Sequence, residues 1–184
     1  MSENIETLQH VTRVIPPPPD IKAHAHIKDY EAAYKQSIED PERFWDGIAK
    51  ELHWFAPWKK VLDWQYPWAK WFVDGSCNIS YNCLDRHVQT WRKNKVAVIW
   101  VGEEGQERVL TYGELYRQVN KCANALKGLG LKKGDRVTIY LPKIPEQIVA
   151  MLACARIGVI HSVVYSGFSS AALATRIHDC EARV

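Results

Sequence analysis

Residues Arg136–Cys180 read RVTIYLPKIPEQIVAMLACARIGVIHSVVYSGFSSAALATRIHDC, and the order of their parts decides the fold. An apolar run, Val137-Thr138-Ile139-Tyr140, is followed by a turn that contains Pro142 and closes on Pro145. A helical stretch from Glu146 to Ile157 comes next and stops at Gly158. A second apolar run, Val159 to Val164, leads into a turn of small residues, Tyr165-Ser166-Gly167-Phe168-Ser169-Ser170, and then a helix to about Cys180. The pattern is β-α-β-α. Both strands are apolar at nearly every position, as expected of parallel strands covered on both faces. Pro145 suits a first helical turn, where its missing N–H costs nothing, and Gly158 suits the left-handed stop after a helix. Ligands of open parallel sheets bind beyond the carboxyl ends of the strands. Chemistry is therefore expected at the turns 141–145 and 165–170.

Working outward, Val96 to Val101 reads as a strand, Gly102-Glu103-Glu104-Gly105 as a hairpin turn, and Arg108-Val109-Leu110 as its partner. Thr111-Tyr112-Gly113-Glu114 is a capping box, with the Thr hydroxyl and the Glu carboxylate each able to serve the other's backbone. The helix it opens carries Leu115, Val119, Cys122, Ala123 and Leu126 on one face and ends near Gly128 or Gly130. The region before Lys95 differs. A helix is expected over about 29–37, and Asp40-Pro41-Glu42-Arg43 reads as a cap, a Pro at N1 and an acidic first turn for a second helix through about Lys50. A band rich in tryptophan comes next, with Trp71–Gly75 read as a short strand and Asn78–Trp91 as a helix. Ile15-Pro16-Pro17-Pro18-Pro19-Asp20 is a stiff, extended spacer. The expected organisation is a disordered or extended Pro-rich arm at 1–28, a helical, Trp-rich extension at 29–84 and an α/β domain from 85 to 184. The last helix is followed by only four residues, Glu181 to Val184, so the sheet is expected to continue in a longer polypeptide.

Composition removes several function classes. The chain has 184 residues, 47% hydrophobic, with a formal charge of +3 that is mild and dispersed, so no nucleic-acid partner is indicated. The aromatic band lacks an interleaved basic stripe, and reads as rings clamping an irregular arm to a neighbouring domain rather than a base-stacking platform. Arg156, Gly158 and His161 interrupt the longest apolar stretch, so no membrane span is expected. Met1–Glu6 carries acid and no apolar run, which speaks against a secretion signal. The cysteines, Cys77, Cys83, Cys122, Cys154 and Cys180, are odd in number and lack the spacing of a structural metal site. Cys122 and Cys154 fall on apolar helix faces and read as core residues. A reducing, cytoplasmic setting is expected, with no metal ligands in this stretch of chain.

No nucleotide-binding Gly-rich loop, nucleophile elbow or zinc-protease helix motif occurs. The turn Ser166–Ser170 sets hydroxyls and small residues before a helix N-terminus, an arrangement that admits anions or close approach to the main chain, or that merely caps the helix through Ser169 or Ser170. His161, inside an apolar strand, reads as a hydrogen-bonded core histidine, and Lys143 as a solvated turn lysine.

The same residues carry a family resemblance. Met151 to Gly158, His161 to Ser169, Asn82-Cys83-Leu84-Asp85-Arg86-His87, Tyr112-Gly113-Glu114-Leu115 and Lys133-Gly134-Asp135-Arg136-Val137 resemble the AMP-forming acetyl-CoA synthetases. The extension, with Phe44-Trp45 and Lys70-Trp71-Phe72, is similar to the N-terminal segment of that branch. The resemblance covers about residues 27–184. It implies the N-terminal part of an adenylate-forming large domain, and an intact enzyme that uses ATP, Mg2+ and CoA. Acetate and ATP would give acetyl-adenylate and diphosphate, and CoA would then displace AMP. It implies further that the ATP loop, acyl pocket, metal site and catalytic lysine lie beyond Val184, so no catalytic residue is expected here and the 184-residue chain alone is expected to be inactive. Propionyl-CoA synthetase, and a non-catalytic interaction module derived from such an enzyme, are the alternatives. One site carries over: Tyr165, Ser166 and Gly167 correspond to a turn that walls the CoA pantetheine path. Ser166 stands where the family has a glycine, and its Cβ disfavours positive φ. Arg156 and Arg176 also match family positions.

Overall fold

The structure is a computed structural model that describes residues 15–184; the beginning of the arm expected at 1–28 lies outside the described residues. The chain divides into two compact units, Met1–Gly47 and Ile48–Val184. In the first, Pro19–His24 forms a short helix, α1, with Pro19 at its start and Asp20 in its first turn. This corrects the expectation of an extended arm through residue 28. Proline holds φ at a helical value, so a proline run can deliver the chain into a helix when an acidic residue comes after it. Helix α2, Tyr30–Glu39, begins where the Asp29 carboxylate accepts from the Ala32 amide at 3.0 Å. Helix α3, Pro41–Ala49, begins where Asp40 accepts from the Arg43 amide at 3.0 Å. Both starts accord with the sequence. The boundary between the units falls inside α3.

The second unit opens with an antiparallel hairpin, β1 (Lys60–Gln65) and β2 (Trp68–Val73), in which Leu62 faces Trp71. Only the second strand was legible in the sequence. In Lys60-Val61-Leu62-Asp63-Trp64-Gln65 the apolar/polar alternation covers only Leu62 to Gln65, the shortest run that marks a half-buried strand. The tryptophans pack on rings close by: Trp54 meets Trp58 edge-on at 4.9 Å, and both meet Phe72. Phe55 and His53 pack on Tyr81, so part of the band clamps its own segment to the chain around Tyr81. The helix expected over 78–91 runs over residues 79–88, with a π segment, Tyr81–Asp85, continued by α4 (Arg86–Val88), and is followed by a separate 3₁₀ turn, Trp91–Asn94. Two side chains set its bounds. Asn78 accepts from the Tyr81 amide, and Thr90 accepts from the Arg92 amide, starting a new turn with a residue in extended conformation.

Strands β3 (Val96–Val101) and β4 (Glu107–Thr111) form the second hairpin. The capping box at Thr111 and Glu114 is complete and opens helix α5, Tyr112–Gly128. Then come β5 (Arg136–Leu141), α6 (Pro145–Ile157), β6 (Ile160–Tyr165) and α7 (Ser170–Asp179). Strands β5 and β6 are parallel and in register from Arg136/Ile160 to Leu141/Tyr165. Gly158 ends α6 at φ 75°, and a Cβ there would lie 2.9 Å from the Lys133 side chain, so both conformation and space require glycine.

Strand periodicity sends Val137 and Ile139 to one side of β5, where they form a buried cluster with Leu131, Cys154 and Val159. Arg136, Thr138 and Tyr140 point to the other side, where Thr138 Oγ1 meets Cys180 Sγ beyond α7 at 3.8 Å. The main core lies between α5 and α6, on Leu115, Val119, Ala123, Val149 and Ala153, closed by Leu84 and Leu110. Arg183 and Val184 bond back to the backbone of Arg136 and Thr138, so the chain after α7 returns to the edge of β5. No helix among the described residues is long and apolar enough to cross a membrane.

Candidate functional site

Because β5 and β6 run parallel and end level at Leu141 and Tyr165, the turns that succeed them lie side by side. The first is held from the β3–β4 hairpin. The Trp100 indole N–H donates to the Lys143 carbonyl at 2.7 Å, and Arg108 forks onto both carboxylate oxygens of Glu146, at 2.8 and 3.3 Å. That guanidinium holds the Glu146 carboxyl below its ordinary range. Lys143 is therefore fixed through its backbone and exposed through its side chain.

The second turn contains Tyr165, Ser166 and Gly167, all exposed. The Phe168 amide donates to the Tyr165 carbonyl at 3.1 Å, closing the bend. Neither Ser166 nor Gly167 has positive φ, so the serine is accommodated without strain and the conformational objection to it falls. Gly167 carries the steric demand instead: a Cβ there would lie 2.5 Å from Cε1 of the Tyr165 ring. Tyr165 and Phe168 meet edge to face at 5.8 Å. Arg176 lies 4.4 Å over the Phe168 ring while donating to the Ala172 carbonyl. The Ser169 hydroxyl accepts from the Ala172 amide at 3.3 Å, the N-cap role open to it in the sequence.

Sequence reasoning missed Tyr140. It reads as one more residue of an apolar strand, yet its hydroxyl donates to the carbonyls of both Ser166, at 2.8 Å, and Phe168, at 3.0 Å. Its parity was the available signal: Tyr140 alternates with the buried Val137 and Ile139, so it falls on the opposite face near the strand's end.

Arg156 does not join this site. It forms a largely buried bidentate pair with Asp85, with contacts of 2.6 and 3.1 Å, and lies 5.2 Å over the Tyr116 ring. His161 is half-buried and its imidazole, among the described residues, makes no hydrogen bond, unlike the bonded core histidine expected. It borders a cavity of about 670 Å³ at the amino end of β6, with Phe55, Asn78, Lys133 and Ile160. That cavity is at the wrong end of the sheet for ligand chemistry, since the main-chain amides left free by parallel strands and their succeeding helices gather at the carboxyl ends. The carboxyl-end turns are the better candidate. Among the described residues no three of His, Cys, Asp and Glu gather as metal ligands.

Comparison with known proteins identifies the family. The family model described as "AMP-binding enzyme" matches residues 84–184, and the one described as "Acetyl-coenzyme A synthetase N-terminus" matches residues 30–83. The chain belongs to the AMP-binding enzyme family and corresponds to the N-terminal portion of its acetyl-CoA synthetase branch. It is 48% identical over 186 residues to the acetyl-coenzyme A synthetase of Chlorobaculum tepidum, covering 100% of this chain and 28% of that protein. It is 55% identical over 143 residues to that of Methanothrix thermoacetophila, covering 77% and 22%. Acetoacetyl-CoA synthetase from Streptomyces lividans has a similar structure, with a TM-score of 0.78 and 30% identity, covering 86% of this chain and 25% of that one. The chain thus spans little more than a quarter of the length of the curated relatives it matches.

Proposed function

We propose that this chain is the N-terminal part of an AMP-forming acetate–CoA ligase, and that it supplies one wall of the crevice through which CoA reaches the acyl-adenylate. The observation that carries the reading is the two family models lying end to end over residues 30–184, in the order of the acetyl-CoA synthetases. The intact enzyme would join acetate to ATP, releasing diphosphate, and then transfer the acetyl group from AMP to the CoA thiol. Mg2+ would accompany ATP on residues outside this chain. Tyr165, Ser166 and Gly167 contribute exposed main chain and an aromatic edge to the CoA side. The described part divides by role, with 29–84 as the extension and 85–184 as the start of the nucleotide-binding domain. Five free thiols suit a reducing, cytoplasmic setting.

The test is acetate-dependent exchange of diphosphate into ATP. The intact polypeptide should catalyse it, with kcat/KM higher for acetate than for propionate, and residues 1–184 alone should not. Exchange by the 184-residue chain above a blank would refute the assignment of the adenylating groups to residues beyond Val184. A preference for propionate would move the assignment to the propionyl-CoA synthetases.

A further inference from the structure

We propose that Tyr140 is a positioning residue for CoA, acting by setting the direction of two peptide groups in the 165–169 turn. The proposal rests on the reading that this turn borders CoA. One phenolic proton is shared between the carbonyls of Ser166 and Phe168, at 2.8 and 3.0 Å. The peptide bonds after them are trans and planar, so each carbonyl points opposite to the next residue's N–H. Drawing the carbonyls of Ser166 and Phe168 toward the strand end therefore turns the amides of Gly167 and Ser169 outward. Among the described residues neither amide donates to any backbone or side-chain group, and both residues are exposed. Two free donors on a fixed turn, two residues apart, suit the amide carbonyls spaced along an extended pantetheine arm. The absence of a Cβ at Gly167 leaves the ring of Tyr165 lying against the turn.

The rest of the clamp supports this role. Tyr140 approaches from β5, and Arg176 holds the Phe168 ring from α7, so the turn is fixed from two separate elements. Removing the hydroxyl leaves the ring in place but frees two carbonyls, and the peptide planes can then rotate.

The experiment uses the intact ligase with Tyr140→Phe and, separately, Gly167→Ala. For Tyr140→Phe the KM for CoA should rise about five- to tenfold, the value of one hydrogen bond of ordinary strength. Acetate-dependent diphosphate exchange, which needs no CoA, should change less than about twofold on the same scale. A KM for CoA that stays at the wild-type value overturns the proposal, as does a parallel loss of exchange, which would make Tyr140 a residue of the fold only. Gly167→Ala separates the two levels of the argument. If it raises the KM for CoA and Tyr140→Phe does not, the turn borders CoA but Tyr140 does not position it. If neither variant moves that KM, the reading of the turn as a CoA wall falls as well.

Discussion

Replacing Asp85 by alanine should destabilise the α/β unit more than any surface change, because it strands a cation. Arg156 and Asp85 are 19% and 14% exposed at their side chains, and the guanidinium meets the carboxylate through two contacts, at 2.6 and 3.1 Å. The pair ties the π turn at 81–85 to α6, with Tyr116 of α5 beneath the guanidinium. Removing one partner of a buried pair costs about 3–5 kcal/mol, since the charge left behind remains desolvated. Residual exposure of nearly a fifth lowers this below that range, to about 2–3 kcal/mol. With a urea m-value of about 2 kcal/mol/M, the midpoint should fall by roughly 1 M. Arg156→Met should be milder, because it also removes a buried Nε–H that has no partner among the described residues. The double variant should recover to within about 1 kcal/mol of the parent, giving a coupling of about 2 kcal/mol. The measurement is urea unfolding of the four proteins followed by far-UV circular dichroism. Additive single effects, or an Asp85→Ala midpoint equal to that of the parent, would refute the reasoning.

Two more outcomes rest on single side chains. The Glu114 carboxyl is held below its ordinary value of 4.5 by the Thr111 backbone amide and then by its hydroxyl. A carboxyl with a lowered folded pKa stabilises above its unfolded pKa and loses that contribution as pH falls through the folded value. Glu114→Gln should therefore lie furthest below the parent near neutrality, with the gap in urea midpoint closing below about pH 4.5; a gap constant with pH would contradict this. The Cys154 thiol is fully buried and pushed up to about 11 by desolvation, whereas Cys77 and Cys83 are exposed. Alkylation at neutral pH, mapped by peptide mass spectrometry, should modify Cys77 and Cys83 in the native protein and reach Cys154 only in denaturant. Labelling of Cys154 at the rate of Cys77 would place it outside the core.

The parts of the fold that were legible are those in which local signals agree with one another. Apolar runs of strand length alternating with helical stretches, Pro145 and Gly158 at the ends of α6, and the complete capping box at Thr111 each act within a few residues, and each stands in the structure as read. Strand β1 was barely legible, because its alternation is confined to Leu62–Gln65 and its pairing with β2 is what defines it. The helix expected over 78–91 stands over 79–88, bounded by Asn78 and Thr90, but the π segment inside it, Tyr81–Asp85, leaves no mark in the apolar spacing. The proline run was misread at its end, since the conformation of proline serves both an extended arm and a first helical turn.

At the site the division is similar. The sequence by itself determined that two turns would stand at the carboxyl ends of parallel strands, because strand direction is set by the β-α-β order and the hand of the chain. It also determined that small residues would occupy the second turn and that Ser169 could cap the helix after it. Only the tertiary structure decided that Ser166 needs no glycine, while a Cβ at Gly167 would displace the Tyr165 ring, since that depends on where the ring comes to rest. Only it paired Arg156 with Asp85, 71 residues away, and brought the Tyr140 hydroxyl to two carbonyls 26 and 28 residues downstream. The physical reason is one of range. Backbone propensity and capping act over a few residues and leave a mark in the local order, whereas a side-chain hydrogen bond between distant segments exists only once the sheet has set its register.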